Sequence, residues 1–112
     1  IQFNARSIIN KLDDLESIIL AHTPHVIVIT ETWLHSEIND DEITPPGYSI
    51  YRKDRPSRGG GVAIMFKSYL NVARLPDIVG IECVILKMYL EDLHLVVGAF
   101  YRPPEADRAF FD

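Results

Sequence analysis

Between Ser7 and Pro24 the apolar residues Ile8, Leu12, Leu15 and Ile19 recur at spacings of four, three and four, the period of one helical face. An amphipathic helix is expected. Ser7 can cap its start by accepting an early backbone N–H, and Pro24 ends it, since the ring bars continuation and biases Thr23 toward extended geometry. The pattern then changes, because Val26, Ile27, Val28 and Ile29 are consecutive β-branched residues. Strand side chains alternate between faces, so a run that is apolar throughout predicts a strand buried on both sides. It exits at Glu31, a carboxylate aimed from a rigid platform.

After Trp33 a loop rich in acids closes on "TPPGY", whose prolines and glycine exclude helix interior and central strand. "YSIYR" (48–52) reads as a short strand, "RPSRGGG" as a turn and "GVAIMFK" (61–67) as the next strand, a hairpin-like pair with a basic tip. Beyond "LPD" at 75–77, the segments 78–91 and 93–103 flank a short turn at Glu91 and Asp92, the pattern of two long antiparallel strands. Gly98 in the second marks a bulge or a close approach of backbone. The opening "IQFNA" reads as the tail of a strand and the closing "EADRAFFD" as the start of a helix, so both ends look cut. Strands apolar on both faces need a covering layer on each side. One helix at each end cannot supply these, and the expectation is the first half of a larger α/β sandwich, two sheets face to face with helices outside.

A chain of 112 residues is one domain or part of one. No apolar stretch nears the roughly 20 residues of a membrane span, and no secretory signal is visible. The single cysteine, Cys83, lies in the apolar run "VGIECVILKMYL" and reads as a core thiol, which excludes a disulfide within the chain. A net charge of −5 argues against a globally basic nucleic-acid binder. The charge is uneven, however: "EINDDE" (37–42) holds four acids, and "RKDRPSR" (52–58) holds four basic residues against one acid. Each can be a solvated loop. Gly59, Gly60 and Gly61 are followed by a strand and not by Gly-Lys-Ser/Thr, so they form a turn and not a phosphate-binding loop of the Walker kind. His22, His25, His35 and His94 show no metal-ligand spacing and read as surface.

Three residues could carry chemistry. Glu31, at a strand exit, suits a hard cation such as Mg²⁺, which is often held by one or two carboxylates plus waters and substrate phosphate; a solvated or salt-bridged surface glutamate is the plainer reading. Asn4 ends a probable strand just before the helix, the same topological place as Glu31 if the two strands are neighbours. Its amide can donate to a phosphate oxygen or serve as a helix-entry turn residue. Tyr101 leaves the last long strand before "RPP", where a phenol can donate to a phosphoryl oxygen or pack as a core or rim aromatic.

Taken together, "NARSIINKLDDLESII", "PHVIVITETWL", "GYSIYRKDRPSRGGGVAIMF" and "HLVVGAFYRPP" span essentially the whole chain. In this order they resemble the N-terminal half of the endonuclease/exonuclease/phosphatase superfamily, and more closely the apurinic-type endonuclease domain of LINE-type (non-LTR) retrotransposons. The resemblance implies a four-layer α/β/β/α sandwich (DNase I-like) of mostly antiparallel strands, and phosphodiester hydrolysis with Mg²⁺ or Mn²⁺. In the retrotransposon branch the target is DNA, nicked to prime a reverse transcriptase, which implies a nuclear site of action and no membrane. Asn4 and Tyr101 match active-site positions of the family and Glu31 its metal-binding glutamate. Arg52, Lys53, Arg55 and Arg58 become candidates for contact with DNA phosphates.

Two departures stand out. Arg6 occupies a place where the wider superfamily often has aspartate, and Pro104 one where many members have asparagine. The family's "GDFN"-like and "SDH"-like motifs do not occur in the chain. Without the groups they carry, acid–base help and electrostatic stabilisation worth factors of roughly 10² each would be missing, so the chain alone is expected to be inactive or nearly so, its partner being the missing C-terminal half of the domain. Two other readings stay open: a superfamily phosphodiesterase or phosphatase acting on a small phosphoester, and a non-catalytic remnant.

Overall fold

The β-branched run forms a strand that is apolar on both faces because it separates two cores. In the computed structural model, which describes residues 1–55 and 59–101, the elements in chain order are β1 (Gln2–Asn4), α1 (Leu12–His22), β2 (Val26–Thr30), β3 (Tyr48–Lys53), β4 (Val62–Lys67), β5 (Asn71–Arg74), β6 (Glu82–Leu90) and β7 (Leu93–Tyr101). Short 3-10 turns stand at Ile8–Lys11 and Asp40–Glu42. The strands make two sheets, ordered β1-β2-β4-β3 and β5-β6-β7. Only the β1–β2 pair is parallel; the other pairs described are antiparallel.

On one face of the first sheet Ile27, Ile29, Ala63 and Met65 pack with Ile8 and Leu15, and Leu12 and Ile19 lie against the same cluster. All four residues of the helical stripe therefore face this core. On the other face Val62, Ile64 and Phe66 meet Val84, Leu86 and Met88 from the second sheet, with Val26 and Val28 packed against them. Each fully buried aliphatic side chain contributes on the order of 1.5–3 kcal/mol, so the two cores give β2 and β4 most of their stability. Helix, sheet and sheet make three layers among the described residues. The outer face of the second sheet leaves Val96 and Phe100 exposed. The segment expected to begin a second helix, 105–112, lies outside the described residues. No helix among the described residues is long and apolar enough to cross a membrane, and Cys83 is a buried free thiol.

Several local expectations are corrected. Ser7 makes no side-chain cap; it sits at φ 81 and the chain enters α1 through the 3-10 turn. Thr23 is not extended but left-handed at φ 41, and its N–H bonds to Ile19 O at 2.8 Å. This αL cap satisfies a terminal helix carbonyl while turning the chain straight into β2. β5, four residues with alternating exposure, was not expected, because a segment that short resembles a loop until β6 is present to pair with it. β6 starts at Glu82 and not at Ile78, since Ile81 N–H closes a turn on Ile78 O at 3.1 Å and Gly80 takes φ 83. Gly98 stands in unbroken register opposite Ile85, so there is no bulge. The Phe100 ring lies where a Cβ at Gly98 would stand.

Tyr48 locks the helix exit to the sheet, its hydroxyl donating to Pro24 O at 2.5 Å. Burial, with Tyr69 adding to it, raises the phenol above its ordinary value of 10.0. The native state thus keeps this proton at pH values where the unfolded chain has lost it. The stability it supplies is complete below about pH 10 and is lost as pH rises through the raised value. Urea midpoints measured from about pH 8 to 11 should fall at the alkaline end. Tyr48→Phe should flatten part of that fall while costing about 1 kcal/mol at neutral pH.

Candidate active site

β1 and β2 run parallel with Asn4 beside Thr30, so the two strands deliver Asn4 and Glu31 to the same rim. Beyond Thr30 the backbone is unusual: Glu31 and Trp33 both take φ 55, a left-handed geometry costing a non-glycine residue roughly 1–2 kcal/mol. It persists because the loop is bonded from both sides. Ala5, Ser7 and Ile8 N–H groups donate to the carbonyls of Thr30, Glu31 and Thr32 at 2.9, 3.0 and 3.0 Å. From the loop, the N–H groups of Thr32 and Trp33 donate to Gly61 O and Gly60 O at 3.2 and 2.9 Å. Gly61 is essential to that approach, since a Cβ there would run into Thr32 Oγ1 and its φ is +89.

The Glu31 side chain is 20% exposed, and Arg6 Nε stands 3.5 Å from its Oε2. Arg6, a departure from the family pattern, is thus the counter-charge of the candidate metal ligand. Arg6 is 77% exposed, and a pair this open to solvent is worth less than about 1 kcal/mol. It orients the carboxylate without closing the site to another cation. Among the described residues no group of three or more His, Cys, Asp or Glu could hold a metal. A single rim carboxylate does fit Mg²⁺ or Mn²⁺, which retain waters and take substrate phosphate; it does not fit a closed all-protein cage.

Tyr101 reaches the same end of the sandwich from the second sheet. It is the last residue of β7 and stands opposite Glu82, the first of β6. Glu82 Oε1 is 3.4 Å from Arg55 Nε, and the Arg55 guanidinium lies 5.2 Å from the centre of the Tyr101 ring. The link to the Glu31 loop is Gly60: its carbonyl accepts from Trp33, and a Cβ on it would come within 2.9 Å of Arg55 Nε. A recess of about 360 Å³ between the sheets is lined by Gln2 and Thr30 on one side and by Ala99 and Phe100 on the other.

The basic segment does not act as one patch. Arg52 is 14% exposed and donates to Asp40 Oδ1 at 3.0 Å, Asp54 Oδ2 at 3.1 Å, His35 O at 3.0 Å and Ile38 O at 2.5 Å. It ties the acidic loop to β3, and its donors are directed into the fold. Arg55 turns toward Glu82, and Lys53, 48% exposed, faces Asp77 at 3.4 Å. Arg58 lies outside the described residues. Sequence reasoning missed Glu82 and the Arg6–Glu31 pair. The signal for Glu82 is an acid at the head of an otherwise apolar run.

The Endonuclease/Exonuclease/phosphatase family model matches residues 1–110, and the chain belongs to this family. Solved structures of similar fold include two endonucleases and a 3′ phosphatase. The endonuclease domain of TRAS1, a telomere-specific non-LTR retrotransposon, superposes with a TM-score of 0.65 at 11% identity over 97% of this chain and 47% of its own. An AP endonuclease from Archaeoglobus fulgidus gives 0.59 at 17% identity, covering 85% of this chain and 38% of that one. The Neisseria 3′ phosphatase NExo, solved with a product DNA hairpin, gives 0.58 at 17% identity with the same 85% and 38% coverage. The chain therefore spans less than half the length of these structures, and at such identities the likeness is one of fold. No curated protein matches the sequence.

Two substitutions test this geometry. Gly61→Ala should destabilise by about 1–3 kcal/mol through strain and the displaced Thr32, visible as a lower thermal midpoint. Arg52→Ala should cost about 2–3 kcal/mol, because it leaves Asp54 and two loop carbonyls without their donor. A melt unchanged by either would show that the loop is held elsewhere.

Proposed function

We propose that this chain is the first half of a metal-dependent DNA-nicking endonuclease domain of a LINE-type retrotransposon. A reverse transcriptase would follow on the same polyprotein, and the target would be nuclear DNA. The observation that carries the reading is that the ends of β1 and β2, beside each other in one sheet, are linked to Tyr101 of the other through Gly60, whose carbonyl accepts from Trp33 and which lies against Arg55 beside the Tyr101 ring. Membership of a family of endonucleases, exonucleases and phosphatases supports hydrolysis of a phosphoester.

In this reading Glu31 holds the Mg²⁺ or Mn²⁺. When bound, such an ion polarises the phosphoryl oxygen and stabilises charge on the leaving oxygen. The Asn4 amide donates an N–H to a phosphate oxygen, and the Tyr101 hydroxyl donates to a non-bridging oxygen from the opposite sheet. Lys53, the most open of the described basic side chains at 52–55, adds sequence-independent attraction to the phosphate backbone. The group that takes the proton from the attacking water is assigned to the rest of the domain, so residues 1–112 alone are inactive or nearly so.

The full-length protein should nick supercoiled DNA only with a divalent cation, and Glu31→Gln should cut the rate by about 10²-fold or more at an unchanged melting temperature. Cation-dependent nicking that survives Glu31→Gln would remove the metal assignment. A small phosphodiester or phosphomonoester turned over faster than duplex DNA would instead favour the second reading, for which the likeness to a 3′ phosphatase speaks. Lys53→Ala should leave the nicking rate at saturating DNA unchanged and reduce the slope of log affinity against log salt by about one.

A further inference from the structure

Glu82 is a charged residue with no part in the reaction as described. It opens β6 directly opposite Tyr101, in step with the inward-facing Val84, Leu86 and Met88. Its side chain is 14% exposed. One carboxylate oxygen, Oε2, is buried and has no hydrogen-bond partner among the described residues. A carboxylate in that state opposes folding unless a cation offsets the charge. The cation against it is Arg55, with Nε 3.4 Å from Oε1.

Arg55 has a second neighbour. Its guanidinium carbon stands 5.2 Å from the centre of the Tyr101 ring, within range of cation–π attraction. Gly60 makes the room for this arrangement: at φ +64, a Cβ on it would fall 2.9 Å from Arg55 Nε and 3.1 Å from Glu82 Oε2. Acid, guanidinium and phenol are therefore assembled from β6, the turn after β3 and the end of β7, at the rim that also carries Glu31.

We propose that Glu82 is a positioning residue acting through Arg55: the carboxylate fixes the guanidinium plane, and that plane fixes the Tyr101 ring so that its hydroxyl is held at the rim. Arg55 then belongs to this unit and not to a DNA-contacting arm. A planar guanidinium can pair with the acid along one edge while presenting its face to the ring, which an ammonium cannot do. The catalytic consequence rests on the reading above in which Tyr101 touches the substrate phosphate; the positioning itself does not.

Two measurements on the full-length protein separate these levels. With 3-fluorotyrosine in place of Tyr101, the ¹⁹F resonance should shift or broaden on Glu82→Gln and on Arg55→Lys, and stay put on Lys53→Ala. A resonance unmoved by both rim substitutions overturns the proposal, and Arg55→Lys alone decides it if Glu82→Gln does not fold. In steady-state nicking of supercoiled DNA, Glu82→Gln should lower kcat about tenfold with KM within about twofold. Glu82→Asp should recover part of the loss. The Glu82→Gln, Tyr101→Phe double variant should be no slower than Tyr101→Phe alone, because both changes remove one function. Effects that multiply, or a lower melting temperature with kcat intact, overturn the catalytic consequence. If the parent protein nicks no DNA, the functional reading fails while the ¹⁹F result still decides the positioning.

Discussion

The constraint on which the rest depends is that β2 buries both faces and then cannot continue. Inside the sheet its side chains serve two cores, one under α1 and one against the second sheet. At Thr30 the strand ends, and Glu31 and Trp33 turn through left-handed backbone. Such geometry is unfavourable in isolation and stable only when neighbours over-determine it. Here they do, with N–H groups from the β1 side and carbonyls at the start of β4 bonding the same few residues. A rim carboxylate held this way has a direction, whereas one in a free loop would have only a location.

The polar interactions divide by what they stabilise. Arg52 and the acids around it, Asp40 and Asp54, organise the long loop after β2, and the Asn39–Glu42 capping box tightens the same turn. Arg74 donates to Arg52 O at 3.2 Å and so joins the second sheet to this cluster. These are fold-making contacts, although they use residues that, by charge alone, suggested a solvated loop and a nucleic-acid surface. At the rim the charges are fewer and looser. Arg6 against Glu31 is largely in solvent, and Glu82 keeps an oxygen without a partner among the described residues.

Much of the architecture was legible because it is periodic. The helical stripe Ile8, Leu12, Leu15, Ile19 and the continuous apolar run of β2 each point to a face, and both stripes are found in the core they implied. The turn at Glu91 and Asp92 was readable from polar residues between two apolar runs, and Leu90 indeed pairs with Leu93. Asn4, Glu31 and Tyr101 could be named as candidates because each ends a strand. Less was legible where geometry is set by a distant partner. β5 is a strand only through its pairing with β6, and Thr23 is left-handed only because the chain must enter β2 at once.

From its residues alone, then, the chain determined its local periodicities, the faces its elements must bury and the set of polar residues left at strand ends. These follow from backbone geometry and apolar area, which act within a few residues. Only the tertiary structure decided which of those polar residues meet. Register and strand order brought Glu82 to Tyr101, turned Arg55 and Arg52 inward and set Arg6 on Glu31. Electrostatic pairing acts over a few ångströms in space whatever the separation in sequence, so it becomes visible only once the two sheets have closed on each other.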